Sequence, residues 1–250
     1  MNQRKTIICC VCIEIIVILC VALANVYPRP FWYFFWYHLL YGVACSFLVP
    51  IFLLHKEKSL FALMGLRPFG KRQLSILVVF VGFSVGGQLI PMVAAGRAVP
   101  WELLPMGVVP LIMTTFFEEF FFQGFCQTRL EKAFGALPAI LASGLMFSLY
   151  HLGYPGFRTL EDLMLLFAVG VGFAAAYKFS GSNLVVAYFV NLPNAFVTYM
   201  LKFEQFPSME LSSTIASVVT LCVIFAVFVM LVYREKNGRG KTKRENEGVG

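Results

Sequence analysis

Residues 103–129 read LLPMGVVPLIMTTFFEEFFFQGFCQTR. Only two charges, the adjacent Glu118 and Glu119, interrupt the run before Arg129 closes it. A helix needs about 20 apolar residues to cross the hydrocarbon core of a bilayer, so this stretch is long enough to span one. Its apolar positions are continuous rather than alternating, which excludes a strand of a transmembrane barrel. Comparable runs recur at 6–26, 33–54, 74–95, 134–152, 160–179, 182–203 and 211–233. Over all 250 residues, 59% are hydrophobic and 13% charged, with mean hydropathy +0.79; soluble domains average roughly 45–50% and 25%. The expected fold class is all-α, a polytopic integral membrane bundle of about eight transmembrane helices.

Charge gives the orientation, because cytoplasmic loops collect Lys and Arg. With the N-terminus inside, sixteen of the 20 basic residues fall in cytoplasmic segments, and only Arg29, Arg97, Arg158 and Lys202 fall outside. The expectation is N-in and C-in, in the cell membrane. The formal net charge of +7 then faces anionic lipid headgroups. Nucleic acid is excluded as a partner, since the tail YREKNGRGKTKRENEG is short, mixed in sign and free of interleaved aromatics. MNQRK followed by an apolar stretch and Ala22-Leu23-Ala24 has the outline of a signal peptide, but Glu14 interrupts its core, and the first span is expected to stay. Cys9, Cys10, Cys12 and Cys20 crowd that span without a ligand or disulfide pattern and read as packing residues.

Residues 1–233 are expected to form one transmembrane bundle, with its motif-bearing core at about 60–203, followed by a basic cytoplasmic tail at 234–250. The loop at 55–68 mixes apolar and basic residues and reads as a short interfacial helix. FWYFFWY, residues 31–37, reads as an aromatic belt at the start of the second span. Gly82-Phe83-Ser84-Val85-Gly86 matches a nucleophile elbow in letters alone, because the elbow needs a strand–turn–helix and this segment is helical. Gly82 and Gly86 are read instead as a small-residue packing surface.

Acids in the hydrocarbon region cost about 2.5–3.5 kcal/mol each on insertion scales and are candidate functional groups. Glu14, Glu118 and Glu119 qualify. Glu14 stands alone and reads equally well as a packing contact. Two like charges side by side, with no Lys or Arg at mid-membrane, cannot both ionise cheaply, and a carboxyl that exchanges its proton is what a general acid/base needs. At helical spacing Thr115, Glu119, Gln123 and Gln127 share a stripe that must avoid lipid. With the turn between spans four and five centred near Gly135, Glu119 lies sixteen residues before it and His151 sixteen after. The helical rise brings them level on antiparallel helices. Asn191, Asn194 and Thr198 share a face in the seventh span, either as helix-joining hydrogen bonds or as donors that polarise a carbonyl. No H-E-x-x-H is present, and neither a metal nor another cofactor is expected.

Glu118-Glu119 in one span, Phe147-x-x-x-His151 in the next and an Asn-bearing patch two spans later resemble the CAAX protease and bacteriocin-processing family, also called the Abi family. Gly124 and Leu63-Met64-Gly65-Leu66-Arg67-Pro68 are further points of likeness. The family pattern is E-E-x-x-x-R, then F-x-x-x-H, then H-x-x-x-N. The resemblance implies a metal-independent intramembrane endopeptidase: Glu118 or Glu119 activates a water, His151 positions it, and span-seven residues stabilise the oxyanion. Its substrates would be peptides or protein C-terminal tails. Three positions depart from the pattern. Gln123 replaces Arg and supplies no charge, Asn191 aligns with the second His, and Ala195 with the final Asn, leaving Asn194 one residue early. Gln123, Asn191 and Asn194 are then weaker hydrogen-bonding substitutes. The alternative is a protease-like membrane protein without catalysis that binds a membrane partner protein, as a bacteriocin-immunity or regulatory factor. A transporter is the third reading, without an inverted repeat to support it.

Overall fold

The computed structural model describes residues 3–27, 29–54, 62 and 64–247, and for 235–247 the backbone alone. The interfacial helix expected over 55–68 therefore lies outside the described residues at 55–61 and 63. Eight helices are long and apolar enough to cross a membrane: α1 Gln3–Val26, α2 Pro30–Leu54, α3 Lys71–Ala94, α4 Trp101–Phe134, α5 Ala136–Gly153, α6 Leu160–Phe179, α7 Leu184–Leu201 and α8 Leu211–Arg234. Helical backbone continues from α8 to Glu247. No strand occurs among the described residues.

Local chemistry sets the helix ends. Pro30 opens α2 at the first helical position, where its missing N–H costs nothing. Thr159 Oγ1 accepts from Asp162 N at 3.1 Å and caps α6, and Asn183 Oδ1 accepts from Val185 N at 3.0 Å and caps α7. Between α4 and α5 the chain reverses at Gly135, whose φ of 86° suits glycine.

α4 is the centre of the bundle. Phe117, Phe120, Phe121, Phe122 and Phe125 are all fully buried there, with Phe120 against Phe47 of α2 and Phe122 against Phe147 and Tyr150 of α5. In lipid the gain comes from close packing and interhelical hydrogen bonds rather than removal from water. The tightest crossing joins α5 to α6. A Cβ on Gly144 would lie 2.8 Å from Val171 N, and one on Gly170 would lie 3.0 Å from Gly144 O. Gly124 likewise admits the loop carbonyl of Met64, 3.2 Å from where its Cβ would stand.

Two sequence expectations need correction. A Cβ on Gly82 would meet nothing within 4 Å, and one on Gly86 only its own helix's Ile90, so these glycines are not a packing surface. The reason is that α3 buries only Met92, so little of its surface, the Gly82–Gly86 stretch included, is packed against a neighbouring helix. In the 31–37 cluster Phe31 and Trp32 are exposed as a belt requires, but Tyr37 is buried and its hydroxyl is hydrogen-bonded inside.

Candidate active site

Glu118 and Glu119 close the first α-helical part of α4, and from Phe120 to Gln127 the turns widen to π-helical before α-helix resumes at Thr128. Such widening recurs at functional sites in helices. Across from the pair, Asn191 of α7 gives one amide hydrogen to Glu118 Oε2 and the other to Glu119 Oε1, both at 2.9 Å. One side-chain amide thus joins the two acids.

The acids are not equivalent. Glu118 lines a cavity of about 420 Å³ bordered by residues of α2 to α8, together with Tyr150, His151, Asn191 and Asn194. Glu119 is behind it, 1% exposed, and its Oε2 has no hydrogen-bond partner among the described residues. Gln123 is fully buried outside the cavity lining, with neither amide atom partnered among the described residues. The stripe Thr115, Glu119, Gln123, Gln127 is buried throughout, but only Thr115 reaches the cavity. The wide turns after Glu119 carry the later residues off that face. Gln127 instead donates to Ala174 O at 2.9 Å and ties α4 to α6.

The second partner of Glu118 was not foreseen. Tyr150 Oη donates to Glu118 Oε1 at 2.6 Å, the short end for O–H···O bonds. Tyr150 also lies 3.1 Å from Tyr154 Oη, Tyr154 lies 2.8 Å from Tyr37 Oη, and Tyr37 lies 3.0 Å from Thr114 Oγ1. Each hydroxyl has one proton. Because Tyr150 gives its proton to Glu118, it accepts from Tyr154, which accepts from Tyr37, which accepts from Thr114. All four O–H groups therefore point toward Glu118, and such alignment strengthens each bond in turn. Tyr150 sits fifteen residues after Gly135 and Glu118 seventeen before, so the depth argument used for His151 would have found it.

His151 follows directly. Its Nδ1 lies 2.7 Å from Phe147 O, and a carbonyl only accepts, so Nδ1 carries the proton. In the neutral ring Nε2 then offers a lone pair. The imidazole is not bonded to either glutamate; its ring centroid is 4.4 Å from that of Tyr150. Phe147 of the F-x-x-x-H pattern is thus the residue whose carbonyl fixes the tautomer.

Asn194 has its Oδ1 occupied by Gln88 Nε2 of α3 at 2.7 Å, while Thr198 Oγ1 donates to Gln88 Oε1 at 3.0 Å. Asn194 therefore presents amide N–H donors to the cavity. Gln88 is a further polar residue that sequence reasoning missed. Glu14 is buried apart from this cavity, with no hydrogen-bond partner for either oxygen among the described residues. Among the described residues no three His, Cys, Asp or Glu side chains are grouped to hold a metal.

Residues 100–196 match the family model described as type II CAAX prenyl endopeptidase Rce1-like. The chain carries an Rce1-like segment. That segment contains all six candidate residues, from Glu118 to Asn194, and extends to the Ala195 position. The Rce1-like family is one of CAAX-type intramembrane proteases, and the eight spans make this a multi-pass membrane protein. No curated protein and no solved structure matches the chain.

Proposed function

We propose that the chain is an intramembrane endopeptidase of the CAAX-processing and bacteriocin-processing type, metal-independent and using Glu118 as its base. The observation that carries this is the bridge from Asn191 to both acids beside a cavity that Glu118 lines. Glu118 takes a proton from a cavity water as the water oxygen bonds to the carbonyl carbon of the substrate. The oxyanion accepts from the Asn194 amide. The C–N bond then breaks, and the leaving amine takes the proton from Glu118. His151 Nε2 accepts the other hydrogen of the attacking water and orients it, and Tyr150 and Asn191 keep the Glu118 carboxyl in place. Preorganised donors of this kind are worth about 10²–10³-fold each in other enzymes.

The cavity wall suits a peptide with an apolar attachment, since Phe80, Phe83, Leu165, Leu166, Val169 and Phe173 line it. The basic-residue split favours both termini on the cytoplasmic side of a cell membrane. The test is cleavage of prenylated and unprenylated peptides by purified protein, with Glu118→Gln and His151→Ala beside the wild type.

A second reading has its own observation. Gln123 occupies the family's Arg position, brings no charge there, and its side-chain amide makes no hydrogen bond among the described residues. This favours a protease-like binding factor in bacteriocin immunity or regulation. Function in cells that survives both substitutions, with no cleavage by the wild type, would select it.

A further inference from the structure

Hydrogen bonds between helix ends sort the bundle into two faces. Gln3 Nε2 at the start of α1 donates to Ala133 O at the end of α4 at 2.7 Å, and Arg72 Nη2 at the start of α3 donates to Phe179 O at the end of α6 at 2.8 Å. Leu184 N, where α7 begins, donates to Gly65 O ahead of α3 at 2.6 Å. These ends share the first face. At the second, Asn25 Nδ2 near the end of α1 donates to Gly153 O at the end of α5 at 3.4 Å, and Lys202 Nζ just past α7 is ion-paired with Asp162 Oδ1 at the start of α6 at 2.8 Å. The rings of Phe157 and Phe206, from the connections after α5 and α7, also meet there, with centroids 5.2 Å apart.

The cavity that Glu118 lines belongs to the second face. Glu118 is seventeen residues from Trp101 and sixteen from Phe134, midway along α4 and about 25 Å of helix from either end. Its depth therefore does not choose a side, but the cavity does. The lining takes Tyr33, Asp162 and Ser213 from the starts of α2, α6 and α8, and Gln88, His151 and Thr198 from the later parts of α3, α5 and α7. All six lie toward the second face. The α7–α8 connection lines the cavity at 206–209, and Ser208 is exposed there, which places the mouth. Among the described residues, none of 64–70, 128–136 or 178–184, which build the first face, lines it.

Charge says which compartment each face meets. Arg29, Arg97, Arg158 and Lys202 belong to the face with the mouth, and the other sixteen of the 20 basic residues to the first face; ten remain there when 234–250 are left out. Cytoplasmic loops collect Lys and Arg, so the first face is the cytoplasmic one. We propose that the acid pair is reached from the non-cytoplasmic side of the membrane, and that its substrate is a peptide or protein segment exposed on that side. The substrate class rests on the protease reading given above, whereas the side of access does not. A tail confined to the cytoplasm meets the face that contributes nothing to the lining.

The test places single cysteines in the full chain and treats intact expressing cells with 2-(trimethylammonium)ethyl methanethiosulfonate, whose fixed positive charge keeps it from crossing membranes. Ser208→Cys reports the mouth, Ala195→Cys the cavity wall next to Asn194, and Lys71→Cys the first face. None of the seven native cysteines lines the cavity, and the wild type treated in parallel gives their background. Above that background, Ser208→Cys and Ala195→Cys are expected to be modified in intact cells as fully as after permeabilisation, and Lys71→Cys only after permeabilisation. Thr198→Cys, also on the lining, replaces Ala195→Cys if the latter lowers the unfolding midpoint in detergent. The reverse pattern overturns the proposal. So does a reactive Ser208→Cys with Ala195→Cys and Thr198→Cys modified only after permeabilisation. Labelling needs no catalysis, so a chain that labels as expected but cleaves no peptide keeps its side of access and loses the protease reading, and the substrate class with it. Cleavage of a membrane-impermeant peptide by inside-out vesicles and not by right-side-out ones overturns the substrate class while the protease reading stands.

Discussion

Tyr150 Oη donates to Glu118 Oε1 at 2.6 Å across the α4–α5 interface. The residue before His151 thus holds the residue before Glu119, and three further hydroxyls aligned behind it reinforce the bond. A hydrogen bond to a charged group is worth about 1.5–3 kcal/mol, and each 1.36 kcal/mol is tenfold in rate. Tyr150→Phe is therefore expected to slow peptide cleavage about 10–100-fold, with KM little changed. Tyr154→Phe, one link further out, is expected to cost less than Tyr150→Phe in the same assay. Equal losses would show that the chain of hydroxyls acts by packing alone.

Asn191 is the only residue bonded to both acids among the described residues. Asn191→Ala removes both donors and leaves buried acceptors without partners, at a cost of about 1–3 kcal/mol for the orphaned groups. A lower unfolding midpoint is expected together with a loss of cleavage of about 10²–10³-fold. Asn191→Asp brings a third carboxyl to the pair and should destabilise the protein more than Asn191→Ala does, as thermal unfolding will read.

What the sequence disclosed and what it hid divide along one line. Long apolar runs report spans, so the ends expected for the sixth span at 160 and 179 coincide with α6, and Gly135 is the turn from which depth was counted. Glu118 and Glu119 stood out because an acid in an apolar run has no cheap explanation. Tyr150, Tyr154 and Tyr37 did not, because a tyrosine counts as apolar in composition and its hydroxyl partner lies on another helix. Gln88 stayed hidden for a similar reason, since its partners Asn194 and Thr198 lie more than a hundred residues away. The failed reading of Gly82 and Gly86 is instructive. Small residues at spacing four occur both at helix crossings and on open faces, and only the neighbouring backbone separates Gly144 from Gly82.

Gln88 joins the outward-facing α3 to α7 through two hydrogen bonds. Bonds of this kind between membrane helices average about 0.6 kcal/mol. Gln88→Leu is expected to lower stability by about 1 kcal/mol in total and to raise hydrogen–deuterium exchange along 71–94, leaving exchange in α1 unchanged. Exchange that rises equally in both helices would show a global loss instead of a released α3.

Close backbone approach at Gly144 and its absence at Gly82 give a paired test of the packing. Gly144→Val forces α5 from α6 and is expected to cost about 1–3 kcal/mol, the usual range for overpacking. Gly82→Val meets open space and should leave the unfolding midpoint within error of wild type.

The most direct measurement is hydrolysis of a farnesylated C-terminal peptide by the purified, detergent-solubilised chain, followed by mass spectrometry of the products, with Glu118→Gln run in parallel. The account predicts a defined pair of fragments from the wild type, without added metal and in the presence of chelator, and a loss of at least about 10²-fold in Glu118→Gln. Cleavage at an undiminished rate in Glu118→Gln, or no cleavage by folded wild type of any prenylated or unprenylated peptide tried, would contradict it.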